Sequence, residues 1–183
     1  MMRDIVRKLG VTSAKSAALV GIMAATVECG KLALAFLPNV EVVTLLLAVY
    51  GYTFGYLGVL AAFVFVFIEP LIYGFGPWVV SYLIYWPLVA LIFCVLGRKG
   101  IRSRIFITAI AVGLTVLFGV LSSVVDVVLF LGVNAHFFAN LGLYYIRGIV
   151  FSAVQIACNA VLFPILFEFL IRKLGIIKRR MSV

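Results

Sequence analysis

The sequence predicts an all-α integral membrane protein with six transmembrane helices and both termini cytoplasmic. Three observations predict it. First, 66% of the 183 residues are apolar. At ~20 residues per crossing of a ~30 Å hydrocarbon layer, that suffices for about six crossings and little else. Second, only 11% of residues are charged and mean hydropathy is +1.30. Such values exclude a soluble globular domain, a disordered chain and a disulfide scaffold. No polar stretch is long enough to fold as a separate catalytic domain. Third, the net charge of +9 is concentrated: 13 of the 15 Lys and Arg fall in three clusters. Arg3, Arg7, Lys8 and Lys15 precede the first apolar run. Arg98, Lys99, Arg102 and Arg104 interrupt the chain midway, and Arg172, Lys173, Lys178, Arg179 and Arg180 follow the last run. Aromatics are not interleaved with them, which argues against nucleic acid. Cytoplasmic loops collect Lys and Arg, and such clusters also meet anionic lipid headgroups.

The elements follow from these clusters by parity. The chain reads as one membrane domain: a basic segment 1–15, a helical bundle 16–171 and a basic tail 172–183. The first apolar run starts near residue 16 without a small-residue cleavage pattern, so it reads as a retained helix. Pro38, in Leu37-Pro38-Asn39-Val40-Glu41, ends it, and Pro77, in Tyr73-Gly74-Phe75-Gly76-Pro77, marks a second break. Residues 42–73 must then contain two crossings to keep both flanking clusters on one side. A turn at Gly51-Tyr52-Thr53-Phe54-Gly55 predicts a thin helix over 42–52 and another over 55–73. The fourth ends at Gly97-Arg98-Lys99. Gly132 to His136 separates a fifth over 105–131 from a sixth over 142–171. The loops this arrangement puts outside contain no Lys or Arg. A five-helix count, with one long tilted helix over 42–73, breaks the charge rule.

Candidate chemistry is confined to the apolar runs. Small residues lie at helical spacing on the first helix: Ala14 and Ala18, and Ala17, Gly21 and Ala25. Such a face packs either against the chain's own helices or against a partner helix. The membrane-embedded ionisable residues are Glu28, Lys31, Glu69, Asp126, Arg147 and Glu168. Glu28 and Lys31 can pair on one face, and Asp126 and Arg147 lie at matching depth. Trp78, Tyr82, Tyr85 and Trp86 form one stripe on the fourth helix. Trp86 lies about 12 Å deeper than Trp78, too deep for an interfacial aromatic belt alone, and suits a wall for a flat ring ligand. Asn134, His136, Asn140, Tyr144, Tyr145, Arg147, Gln155 and Asn159 add hydrogen-bonding groups. The expected small-molecule site therefore lies between the outer loops. Trp78, Tyr82, Tyr85 and Trp86 stack on the ligand, and Asn39, Glu69, Asn134, Asn140, Tyr145 and Arg147 orient it. Cys29, Cys94 and Cys158 lie in apolar runs without metal spacing and read as small apolar side chains. No HExxH, GxSxG or GxxxxGK[ST] motif occurs, so no enzyme activity, ATP hydrolysis, metal or cofactor is expected.

These features together resemble the substrate-binding S component of an energy-coupling factor (ECF) vitamin transporter. The resemblance rests on size, six predicted helices with both ends inside and the small-residue face. It rests also on the Leu37-Pro38-Asn39-Val40-Glu41 turn, the Tyr73-Gly74-Phe75-Gly76-Pro77-Trp78 segment and Gly97-Arg98-Lys99. It implies capture of a vitamin or related micronutrient from outside a bacterial plasma membrane. It implies as partners a membrane T subunit, contacted by Ala14 and Ala18 or by Ala17, Gly21 and Ala25, and two cytoplasmic ATPases. Cobalamin, folate, pantothenate and a queuosine precursor all suit such a site. The alternatives are a small secondary transporter coupled to protons through Glu69 or Asp126, and a membrane assembly factor without a ligand.

Overall fold

The computed structural model describes residues 14–181. Arg3, Arg7 and Lys8 of the first basic cluster lie outside the described residues. Every regular element among those described is helical: α1 (Ala14–Ala33), α2 (Val43–Phe54), α3 (Tyr56–Tyr73), α4 (Trp78–Arg98), α5 (Arg104–Phe130) and α6 (Phe137–Leu162). A π-helical turn, Phe163–Phe167, then joins α6 to α7 (Glu168–Met181). Five helical stretches are long and apolar enough to cross a membrane, the last being the continuous 45-residue run Phe137–Met181. The chain is a multi-pass helical membrane protein.

Besides the start of α6, at Phe137 rather than near residue 142, two boundaries differ from the sequence reading. The expected basic tail 172–183 is helical through Met181. Its Ile171 and Leu174 pack on the core, Lys178 donates to Thr53 O at 2.7 Å, and Arg172, Lys173, Arg179 and Arg180 are exposed, an amphipathic pattern that lets the helix run past the apolar segment. Pro164 does not end α6, because the wider π turn accommodates the missing N–H. The second difference is α2, which runs on to Phe54 rather than ending at residue 52. Gly55 alone makes the turn into α3, with φ 65°. Gly51 serves another purpose: a Cβ there would lie 2.1 Å from the carbonyl oxygen of Ala90. The lack of a side chain lets α2 and α4 touch backbone to backbone, as small residues do between helices in lipid. Gly97 does the same from α4, where a Cβ would lie 2.3 Å from Tyr52 O.

At 12 residues, α2 spans only about 18 Å, yet it is the centre of the fold. It packs against α1, α3, α4 and α7, and Leu45, Leu47, Ala48 and Val49 are fully buried. The long helices stand around it as a row, α1 beside α3, then α4, α5 and α6; the ends of the row, α1 and α6, are not packed along one another. One end of the bundle carries the Arg98–Arg104 loop and α7. The other carries the connections 34–42, 74–77 and 131–136.

The start of α2 is held midway down the bundle. Glu41 accepts hydrogen bonds from Thr44 N (2.9 Å) and Thr44 Oγ1 (2.6 Å), which meets the open first turn of the helix. The same carboxylate accepts from Asn159 Nδ2 of α6 at 2.9 Å, and Asn159 reaches Thr115 Oγ1 of α5 at 3.0 Å. Thr115 lies about 16 Å along α5 from Arg104. Above that level no helix among the described residues occupies the middle of the bundle.

The buried stripe of α1 is Leu19, Val20, Met23, Ala24 and Val27. Ala14, Ala17, Ala18, Gly21 and Ala25 are all exposed, and a Cβ on Gly21 would meet nothing within 4 Å. Among the described residues, nothing packs on this small-residue face.

Candidate functional site

The space above α2 is a cavity of about 480 Å³, within the range of small-molecule sites. Its walls follow from helical periodicity. On α5, Phe118, Ser122 and Asp126 repeat every four residues, with Gly119 and Ser123 beside them. On α6, Tyr144, Tyr145, Arg147, Gly148, Phe151, Ser152 and Gln155 form the opposite stripe. Trp78 and Tyr82 enter from α4, and Asn39 from the 34–42 connection. Asn39 has φ 61°, a conformation Asn tolerates better than most residues.

The aromatic wall is built in two layers. Trp78 and Tyr82 lie 5.1 Å apart at the cavity, edge to face. Behind them Trp86 touches Tyr82 at 5.5 Å, and Tyr85 lies 4.7 Å from Phe118. Tyr85 and Trp86 are 1% and 5% exposed. They support the wall and do not face the cavity, contrary to the sequence reading. The cause is Phe118, which lies 5.9 Å from Trp86 with nearly parallel rings (29°) and covers the deep half of the stripe. Phe118, Ser122 and Ser123 were not legible as site residues. The usable signal was the four-residue repeat of Phe118, Ser122 and Asp126.

Polar groups in the cavity have defined roles. Ser122 and Ser123 both donate to backbone carbonyls, Ser122 to Phe118 O at 2.9 Å and Ser123 to Gly119 O at 2.8 Å. Toward a ligand their oxygens can therefore only accept. Asp126 and Arg147 line the same cavity from facing helices but form no ion pair among the described residues. The Arg147 guanidinium instead lies 5.7 Å from the Tyr144 ring centroid.

Of the expected contacts, Asn39, Trp78, Tyr82, Tyr145 and Arg147 converge on this cavity. Glu69 does not: it is buried on α3, bonded to Lys31. Lys31 thus reaches across to α3 instead of making the expected pair with Glu28 alone. Asn134 closes its own turn, donating to Leu131 O at 3.2 Å and accepting from His136 N at 2.9 Å. Asn140 is half-buried at the first turn of α6, outside the cavity. Cys158 donates to Glu41 O at 3.2 Å, joining α6 to the connection below the cavity.

No protein-family model matches the chain, and neither the curated proteins nor the solved structures contain a match to it.

Proposed function

We propose that the chain is the substrate-capture subunit of an ECF-type ABC importer. It binds a vitamin or related micronutrient from outside and delivers it inward with a membrane T subunit and two cytoplasmic ATPases. The observation that carries this reading is the cavity above the half-length α2. It is large enough for a ring compound, walled by Trp78, Tyr82 and Phe118 on one side and Tyr144 and Tyr145 on the other. Asp126 and Arg147, which have no ion-pair partner among the described residues, stand ready to orient a ligand, since each gains a partner on binding. In this reading α2 supplies a sixth, thin crossing, and the bundle end rich in Lys and Arg faces the cytoplasm of a cell membrane. The cavity then opens outward, on the side whose connections lack Lys and Arg.

Topology is tested by single-cysteine labelling in a background with Cys29, Cys94 and Cys158 replaced by Ala. An impermeant thiol reagent is expected to label A135C on intact cells and to leave R102C unlabelled until the membrane is broken. The reverse pattern excludes this orientation.

The T subunit is assigned to the exposed small face of α1. Gly21→Trp is expected to abolish coupled uptake, more than tenfold, while ligand affinity stays within twofold of wild type, because a bulky side chain keeps the partner backbone away. A parallel fall in binding and uptake would mean that this face serves the fold alone. The function itself is tested in proteoliposomes. Uptake is expected only with partner subunits and ATP; uptake driven by a proton gradient, by this chain alone, would establish a secondary transporter instead.

A further inference from the structure

Behind the aromatic wall, three ionisable side chains meet between α1 and α3. The Lys31 ammonium is hydrogen-bonded to Glu69 Oε2 and lies 4.2 Å from the Tyr73 ring centroid and 5.8 Å from that of Tyr82. Glu28, one turn before Lys31, faces both Glu69 and Lys31. Glu69 is 1% and Glu28 7% exposed. With every group ionised the cluster holds two negative charges and one positive. Neither oxygen of Glu28 meets a hydrogen-bond donor, and neither does Glu69 Oε1. A surplus buried charge of this kind is among the most costly features of a membrane interior.

The neighbouring elements do not balance it. From α3 the site faces Tyr73, and from α4 it faces Tyr82. Beyond Tyr82 the 34–42 connection brings Glu41, a further acid. Among the described residues, Lys31 is the one cation acting on Glu28.

We infer that Glu28 and Glu69 form a proton-binding carboxyl pair, one proton held between them with Lys31 as counter-ion. The geometry assigns the atoms. Glu69 Oε2 is engaged by Lys31, and Glu69 Oε1 is free to accept an O–H from Glu28. One added proton brings the cluster to neutrality and supplies the missing donor. Two carboxyls in one buried site hold a single proton for this reason. The pair is coupled to the cavity through Lys31. If the proton leaves, Glu28 competes with Glu69 for the ammonium that lies beside Tyr82, a cavity residue. The inference does not depend on what the cavity binds.

The test is infrared spectroscopy of the full-length protein in lipid nanodiscs at neutral pH. Wild type is expected to show a protonated-carboxyl C=O band that shifts in D₂O. Glu28→Gln should remove one carboxyl equivalent of that band, and Glu69→Gln the same, because the remaining carboxylate then pairs with Lys31 alone. Glu41→Gln and Asp126→Asn should leave this component in place. Should Glu69→Gln fail to fold, the near-isosteric Glu28→Gln still decides. The proposal is overturned if wild type lacks the band, or if the band survives intact in Glu28→Gln. A bound sodium ion in place of the proton would also overturn it. Its mark is a melting temperature that rises in NaCl relative to choline chloride at constant pH, in wild type and not in Glu28→Gln.

Discussion

Gly51→Leu is expected to yield no stable protein. The Cβ of any residue there would lie 2.1 Å from Ala90 O, and 2.9 Å from the Ala90 carbonyl carbon. These are backbone atoms in the middle of α4, so no side-chain rotation relieves the clash. Overpacking of a core usually costs about 1–3 kcal/mol when neighbours can shift. Here α2 would have to move away from α4, and α2 also holds α1, α3 and α7 in place. The loss should exceed that range and take a large share of a typical stability of about 5–15 kcal/mol. Gly51→Ala should be milder in degree and the same in sign. Thermal melting and monodispersity of the detergent-solubilised protein are the measurements. A Gly51→Leu protein that melts within a few degrees of wild type would show that α2 and α4 do not meet at this point.

Tyr82→Ala is expected to have the largest effect on ligand binding with the least effect on folding. Tyr82 is half-buried, lines the cavity and links Trp78 to Trp86 by ring contacts of 5.1 and 5.5 Å. Losing the burial of one large ring against a ligand costs about 1–3 kcal/mol, roughly a 5- to 150-fold weaker affinity. Tyr85→Ala separates wall from support. Tyr85 is 1% exposed, so its truncation empties a packed site and should cost about 3–5 kcal/mol of stability. Phe163→Ala should likewise cost stability, because Phe163 stacks on Phe167 at 5.7 Å in the core. Its affinity should stay near wild type, since it lies far below the cavity. The ligand for these titrations is whatever small molecule native mass spectrometry finds bound to the purified protein. Equal losses of affinity in Tyr82→Ala and Phe163→Ala, both folded, would place the ligand elsewhere.

Much of the architecture was legible in the chain. Pro38 and Pro77 punctuate long apolar runs, and both breaks are connections in the structure. The turn between the second and third helices was expected within Gly51–Gly55, and Gly55 makes it. Charge misled the reading at the C-terminus. Five Lys and Arg after residue 171 look like a solvated tail, but α7 needs only one apolar stripe to continue. The site was half legible. Trp78, Tyr82, Tyr145 and Arg147 were found because aromatic and charged residues stand out in so apolar a sequence. Ser122 and Ser123 did not stand out, because a membrane helix often hides a serine hydroxyl on its own backbone, as both do here.

By itself the sequence determined the helical membrane class, the number of apolar runs and the ends at which basic residues gather. These depend on hydropathy and charge, which are summed along the chain and need no partner. Only the tertiary structure decided which side chains meet. Periodicity places Glu28 and Lys31 on one face of α1 but is silent about α3, whose Glu69 takes the lysine. It places Tyr85 and Trp86 in line with Trp78 but cannot show Phe118 arriving from α5 to cover them. It also cannot show that Glu41 would be caught by Asn159, 118 residues further on, so that α2 begins halfway down the bundle. That contact joins side chains from opposite ends of the chain, and it leaves the space in which a ligand can sit.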